Sequence, residues 1–403
     1  MTNLQNLYVF LLVSAFIGYP FAAMIPTLIG VDSTIASYPF RLIILSTSIY
    51  FILLSLLKQK FLISNTLFLL FCLIWIIVLA RFFYEGVLLG NPIHPERSFV
   101  STLIYAGLIS FIPSIVFLVD FDKDCFYKFN KYFFLGSLIL CLAYSFIFTS
   151  YLSLDEGRRS GTDSINSITL STLGAYLFLS SISIEPLKKS KLLSLQFKLA
   201  SIFIALYLMM ISGSRGPLLI LIITSMIYFY KLTNSRLLLF SFAIVPLIFI
   251  YINFDEIKFL SSLYFDNVIL VNRLLEGAED GSSAERILIL ISSWNIFIEN
   301  PLLGGAFVEP ITLSYPHNLL LEGLMIGGIL LGLLIIIILY FIFTTSLKML
   351  SDPDLKLLGI VLIFCLGMTM VSGSFIWGPE FWYIFAISIS YNTFLKNQYL
   401  FDQ

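Results

Sequence analysis

Long apolar runs follow one another along almost the whole chain, and they constrain the fold more than any motif does. A membrane span needs roughly 20 apolar residues at 1.5 Å rise per residue. Runs of this kind fall at 7–29, 38–57, 62–84, 99–119, 132–153, 166–184, 196–212, 215–230, 236–253, 317–346, 355–374 and 380–395. Hydrocarbon offers no water to backbone N–H and C=O groups, so segments of this length cross as helices. The sequence predicts an all-α polytopic membrane protein of about 12 transmembrane helices, with a long loop between spans 9 and 10.

Of 403 residues, 59% are hydrophobic and 12% charged, too little polar surface for a soluble chain of this size. The expected organisation is a single polytopic domain, 1–403, with the loop at 254–316. The first apolar run lacks a basic n-region and a small-residue cleavage site, and is read as a retained helix. Cys72, Cys125, Cys141 and Cys365 have no disulfide or metal spacing.

Orientation follows from the lysines. With a cytoplasmic N-terminus and alternating spans, both termini are cytoplasmic, and 13 of 14 lysines fall inside while eight of nine arginines fall outside. The outer arginines are Arg41, Arg81, Arg97, Arg158, Arg159, Arg215, Arg273 and Arg286. Retention of lysine inside explains the first number but not the second. A guanidinium is a planar, permanently charged fork for phosphate or carboxylate, and it also snorkels and pairs with nearby acids. The outer face carries 17 of the 24 Asp and Glu, so the arginines form a local pattern and nucleic acid is excluded as a partner.

Four outer segments hold the polar chemistry. They are Gly157-Arg158-Arg159-Ser160-Gly161 with Asn166, Ser212-Gly213-Ser214-Arg215-Gly216, the loop ending at Glu285-Arg286, and Tyr315-Pro316-His317-Asn318 with Glu322 one turn on. Arg215 heads a helix in a short break between two apolar runs, where N–H groups and the helix dipole converge. It reads as a phosphate ligand or as half of a buried ion pair. His317, one of two histidines, stands at a helix N-terminus that favours neutral imidazole. Alone it reads as an interfacial residue or as a general base for a hydroxyl. Asn318 and Glu322 share a helical face and either orient a polar substrate or satisfy one another. His94, between Pro92 and Pro95, reads as a structural or rim residue. No histidine pair or outer D-x-D suggests a metal. Asp120, Asp122 and Asp124 belong to a Lys-rich cytoplasmic loop.

Ser212-Gly213-Ser214-Arg215-Gly216, Phe297-Ile298-Glu299-Asn300-Pro301-Leu302-Leu303-Gly304 and Pro316-His317-Asn318-Leu319-Leu320-Leu321-Glu322, with the Gly-rich span that follows, resemble the O-antigen ligase/polymerase family over residues 155–345. The resemblance implies an inverting, metal-independent glycosyltransferase without cofactor, working at the periplasmic face of the bacterial inner membrane. Its partners would be undecaprenyl-diphosphate-linked glycan donor and acceptor, membrane lipid, and a chain-length regulator or flippase of the same pathway. It implies His317 as base, Arg215 and Arg286 on the donor diphosphate, and Arg158, Arg159, Asn166, Arg273, Asn318 and Glu322 in substrate binding. Only about a dozen residues separate Gly304 from His317, little structure for recognising a large second lipid, which favours an O-antigen polymerase over a ligase acting on lipid A–core. A polysaccharide or lipid-linked glycan transporter is the lesser alternative. It calls for charges along the middle of several spans and two related halves, whereas the charges here gather at one face.

Overall fold

The computed structural model describes residues 3–29, 34–58, 66–94, 97–119, 123–151, 165–184, 191–233 and 281–401. The described residues are helix and connecting loop, without strands. In chain order the helices are α1 (Asn3–Ile29), α2 (Thr34–Leu57), α3 (Thr66–Phe83), α4 (Phe99–Tyr105), α5 (Ile112–Ile115), α6 (Lys123–Tyr151) and α7 (Ser167–Ser183). They continue with α8 (Lys191–Ser212), α9 (Arg215–Thr233), α10 (Gly281–Glu299), α11 (Leu319–Met349), α12 (Lys356–Ser372) and α13 (Glu380–Phe401). A π-helical turn, Tyr84–Leu88, extends α3, and another, Ala106–Phe111, joins α4 to α5.

Seven described helices are long and apolar enough to cross a membrane: α1, α2, α3 with its π turn, α6, α8, α9 and α11. Shorter apolar helices cover 99–115, α7 and α12. The chain is a multi-pass membrane protein. The expected span at 236–253 lies outside the described residues. Helix α6 begins at Lys123, ahead of its apolar run at 132, because a helix need not stop where the hydrocarbon does.

The sequence distributes these helices between core and rim. α12 and the first half of α13 are largely apolar on all sides, and helices of that kind are enclosed. Leu357, Leu358, Ile360, Val361, Trp382, Phe385 and Ile387 accordingly have no exposed surface. Trp382 of α13 stacks on Trp75 of α3 with ring centroids 4.3 Å apart, and Phe71 meets it edge-on at 5.5 Å. Phe16, Phe133 and Tyr176 form a second aromatic knot that joins α1, α6 and α7. Leu, Ile and Phe on the outer faces of α2, α6 and α8 stay exposed, among them Leu57, Phe146 and Phe203. Apolar surface in that position is lipid-facing.

Helix α11 is broken. Gly327 and Gly328 leave helical geometry, with φ 64° and ψ −156° at Gly328. The broken ladder is repaired by the segment after α10. Ile329 N–H donates to the Pro301 carbonyl at 2.8 Å, and Met325 C=O accepts from Gly305 N–H at 3.0 Å. Non-helical backbone at membrane depth is tolerated where protein re-satisfies its polar groups.

Contacts sort the helix ends into two sets. Lys128 Nζ donates to Asn6 Oδ1 at 2.7 Å and Asn130 Nδ2 to the Asp354 carbonyl at 2.9 Å, joining α1, α6 and the α11–α12 turn at one end. At the other, Tyr144 donates to the Pro20 carbonyl at 2.7 Å, Ser110 to Ile376 C=O at 3.2 Å, and Arg81 to Gly304 C=O at 3.4 Å. His317 belongs to this second end.

Candidate active site

The polar residues at that end surround a cavity of about 530 Å³. Its wall includes His317, Asn166, Arg41, Tyr315, Trp377 and Glu380, and apolar side chains such as Phe16 and Leu173 line its depth. It draws on α1, α2, α4, α7, α12 and the start of α13, so elements far apart in sequence build it together.

His317 is the most distinctive member. Its backbone lies in the left-handed region at φ 55°, a conformation costly for a residue with a Cβ and concentrated at functional sites. Its Nδ1 is buried without a hydrogen-bond partner among the described residues. Its ring centroid lies 4.3 Å from that of Tyr315. Burial, reinforced by the positive charge of Arg286, holds its pKa down at about 4. The imidazole is therefore neutral at physiological pH, the protonation state of a base. Burial likewise raises the Tyr315 phenol, which stays protonated.

The chain enters this position through a self-tied loop. Glu309 is buried and accepts from Ile311 N–H, Thr312 N–H, the Thr312 hydroxyl and the Ser292 hydroxyl. Burial alone would raise its carboxyl, but these donors hold it below the ordinary carboxylate range. Glu309 is thereby a strut between α10 and the loop that delivers His317.

Asn318 and Glu322 follow on α11. Asn318 Oδ1 caps the helix by accepting from Leu321 N–H at 3.0 Å, and its Nδ2 donates to Met370 C=O at 3.0 Å. Glu322 is buried and accepts from Ser374 Oγ at 2.8 Å and Phe375 N–H at 3.0 Å. Both side chains tie α11 to the end of α12 and to the loop beyond it. Neither bonds the other.

Arg215 opens α9, with two residues between it and the end of α8, and Gly213 at φ 65° makes the turn a residue with Cβ would resist. Arg215 is half-buried; Ser214 beside it is buried and its carbonyl lies 3.5 Å from Ser171 Oγ of α7. Arg286, also half-buried, projects from α10 close enough for its charge to act on both His317 and Tyr315. Asn166 caps α7 by accepting from Thr169 N–H at 2.8 Å and reaches the cavity wall. Arg158, Arg159 and Arg273 lie outside the described residues.

The cavity thus joins His317 and Asn166 and has Arg286 acting on it electrostatically. Sequence reasoning did not single out Tyr105, Trp377 or Glu380, and it counted Arg41 only among the outer cations. Arg41 carries its guanidinium carbon 4.8 Å from the Tyr105 ring centroid and donates through Nη2 to the Tyr105 hydroxyl at 3.4 Å. Arg97 approaches the same ring at 4.7 Å and Trp377 at 5.4 Å, while His94 lies 5.0 Å from Trp377. Arg81 is paired with Glu85 at 2.6 Å.

A search of curated proteins gives no significant match. Residues 200–336 match the family model described as O-antigen ligase. That segment, about a third of the chain, runs from within α8 into α11 and contains Arg215, Arg286, His317, Asn318 and Glu322; over it the chain is similar to the O-antigen ligase family.

Proposed function

We propose that the chain is a surface-polysaccharide polymerase. It joins undecaprenyl-diphosphate-linked oligosaccharide repeats at the membrane face away from the cytoplasm, by inverting transfer that needs no metal. The observation that carries this reading is His317, a neutral imidazole with an unpartnered buried nitrogen, held in a strained backbone on the wall of a cavity.

In this reaction His317 takes the proton of the acceptor hydroxyl as its oxygen attacks the anomeric carbon of the donor sugar. The bond from that carbon to the diphosphate oxygen breaks, and undecaprenyl diphosphate leaves with the electron pair. Arg215 and Arg286 answer the negative charge that develops on the leaving oxygen, the position where preorganised cations lower a barrier most. Attack opposite the leaving group inverts the anomeric centre. Arg158, Arg159 and Arg273 belong to the same proposal as further ligands of the lipid-linked substrates. Asn318 and Glu322 contribute by holding the walls in place.

A polymerase is favoured over a ligase by the segment before His317. It is short and closes on itself through Glu309, leaving little surface there for a large lipid A–core acceptor. The deciding experiment complements cells lacking the endogenous activity with wild type, His317→Ala or Arg215→Ala and reads the glycan ladder. A polymerase defect leaves a single repeat on core, whereas a ligase defect strands long glycan on undecaprenyl diphosphate. A full wild-type ladder from both variants would sink the assignment.

A further inference from the structure

We propose that the cavity beside His317 is a sugar-binding subsite for the acceptor glycan, in which Glu380 and Arg41 are the hydrogen-bonding residues and Trp377 the stacking surface. This rests on the glycosyl-transfer reading and adds the residues that choose the acceptor.

Two charges share one space without meeting. Arg41 of α2 and Glu380, the first residue of α13, both line the cavity. Among the described residues the one ion pair is Arg81 with Glu85, so Arg41 and Glu380 are not paired. Arg41 is half-buried and Glu380 opens to the cavity, so each presents its charge to that space without closing on the other. Each is instead retained by its own surroundings. Arg41 is drawn to Tyr105 by the ring face and the hydroxyl. Glu380 occupies the first turn of a helix, where the dipole favours a carboxylate.

What fits between them follows from chemistry. A simple anion would suit Arg41 and be repelled by Glu380; a simple cation would suit Glu380 and be repelled by Arg41. A neutral ligand rich in hydroxyls satisfies both, donating to the carboxylate and accepting from the guanidinium, most of whose five N–H donors remain free. Trp377 supplies the third element, a large amphipathic aromatic against which the apolar face of a pyranose packs. The volume of about 530 Å³ falls within the range of small-ligand sites. Because His317 lies on the same wall, a sugar seated here presents a hydroxyl to the base.

The sources of these residues sharpen the inference. His317, Arg215 and Arg286 lie inside the family-matching segment, whereas Arg41, Trp377 and Glu380 lie outside it. Base and diphosphate ligands thus come from one part of the chain, and the acceptor contacts from α2, the loop before α13 and the start of α13.

The test uses the full-length protein in lipid nanodiscs with lipid-linked repeat extracted from cells of the native pathway. Initial rates are measured with the lipid-linked repeat as donor and, varied separately as acceptor, repeat oligosaccharide freed of its lipid diphosphate, which can accept but not donate, for wild type, Glu380→Gln, Trp377→Phe and His317→Ala. The expected result is an acceptor KM raised about tenfold by Glu380→Gln and severalfold by Trp377→Phe, with donor KM unchanged. Free repeat oligosaccharide, released from the lipid by mild acid, should also alter tryptophan fluorescence in wild type and much less in Trp377→Phe. That binding arm decides the matter if Glu380→Gln fails to fold. Wild-type acceptor KM in both variants, or no fluorescence response, overturns the subsite even if His317→Ala is inactive. Wild-type turnover by His317→Ala instead removes the reaction on which the subsite depends.

Discussion

Ser374 donates a 2.8 Å hydrogen bond to the buried carboxylate of Glu322, fastening the loop that carries Trp377 to the helix that follows His317. Phe375 N–H donates to the second carboxylate oxygen at 3.0 Å. Glu322→Ala strands both donors inside the protein, at a cost of about 1–3 kcal/mol for an unsatisfied buried group. Glu322→Gln keeps one acceptor and turns an amide donor toward the other group, so its effect should be intermediate. Thermal unfolding in detergent should rank wild type above Gln and Gln above Ala. Equal midpoints for all three would show that the tie carries no stability.

His317 offers a direct titration. Burial first, and Arg286 second, lower its pKa from 6.5 to about 4. The ring should stay neutral down to pH 5, and an acid limb of kcat/KM should appear near pH 4 if it is the base. Replacing Arg286 with Gln removes the smaller cause, so the midpoint should rise yet remain below 6.5. The chain has two histidines, so a His94→Gln background leaves one labelled imidazole to follow by NMR. A midpoint near 6.5 in that background would mean that water reaches the ring freely.

Asn318 does two jobs with one side chain, and the substitutions separate them. Its carbonyl caps α11 at Leu321 while its amide holds Met370 C=O. Loss of an N-cap costs about 0.5–2 kcal/mol. Asp is as good a cap as Asn, but it has no N–H for Met370 and sets a carboxylate against a carbonyl. Asn318→Asp should therefore destabilise at least as much as Asn318→Ala, the reverse of the order at an ordinary cap. A thermal midpoint for Asp matching wild type would show that the bond to Met370 is dispensable.

These residues also show what a sequence can and cannot reveal. The hairpin was legible because its signal is local: apolar runs ending at Ser212 and resuming at Arg215 match the ends of α8 and α9. Asn318 and Glu322 stood out as polar residues at the head of an apolar run, but their partners Met370, Ser374 and Phe375 lie about fifty residues away and carry no spacing signal. Tyr105, Trp377 and Glu380 were harder still, since each is an isolated residue beside or within an apolar run. Only packing brings them to one cavity with Arg41. The break in α11 had a visible pair of glycines, yet its purpose depends on the chain segment that inserts against it.

That insertion gives the last prediction. At Gly328 an added Cβ would lie 2.4 Å from the backbone carbon and oxygen of Leu302. Backbone cannot swing aside as a long side chain can. The conformation itself, φ 64° and ψ −156°, is one that glycine alone adopts readily, and strain of this kind costs of order 1–3 kcal/mol before any clash is counted. Gly328→Ala should therefore part α11 from the Pro301–Gly305 segment and free the bonds from Ile329 to Pro301 and from Gly305 to Met325. Because that segment leads into the loop delivering His317, activity should fall together with the yield of folded protein. Neighbouring Gly327 makes the milder comparison: its φ of −131° suits any residue, and the atoms nearest its added Cβ belong to the Leu331 side chain, from 2.7 Å, which must shift but is not backbone. Detergent-extracted, monodisperse protein should be recovered in better yield for Gly327→Ala than for Gly328→Ala. The opposite order would show that the contact with Leu302 does not hold the break in place.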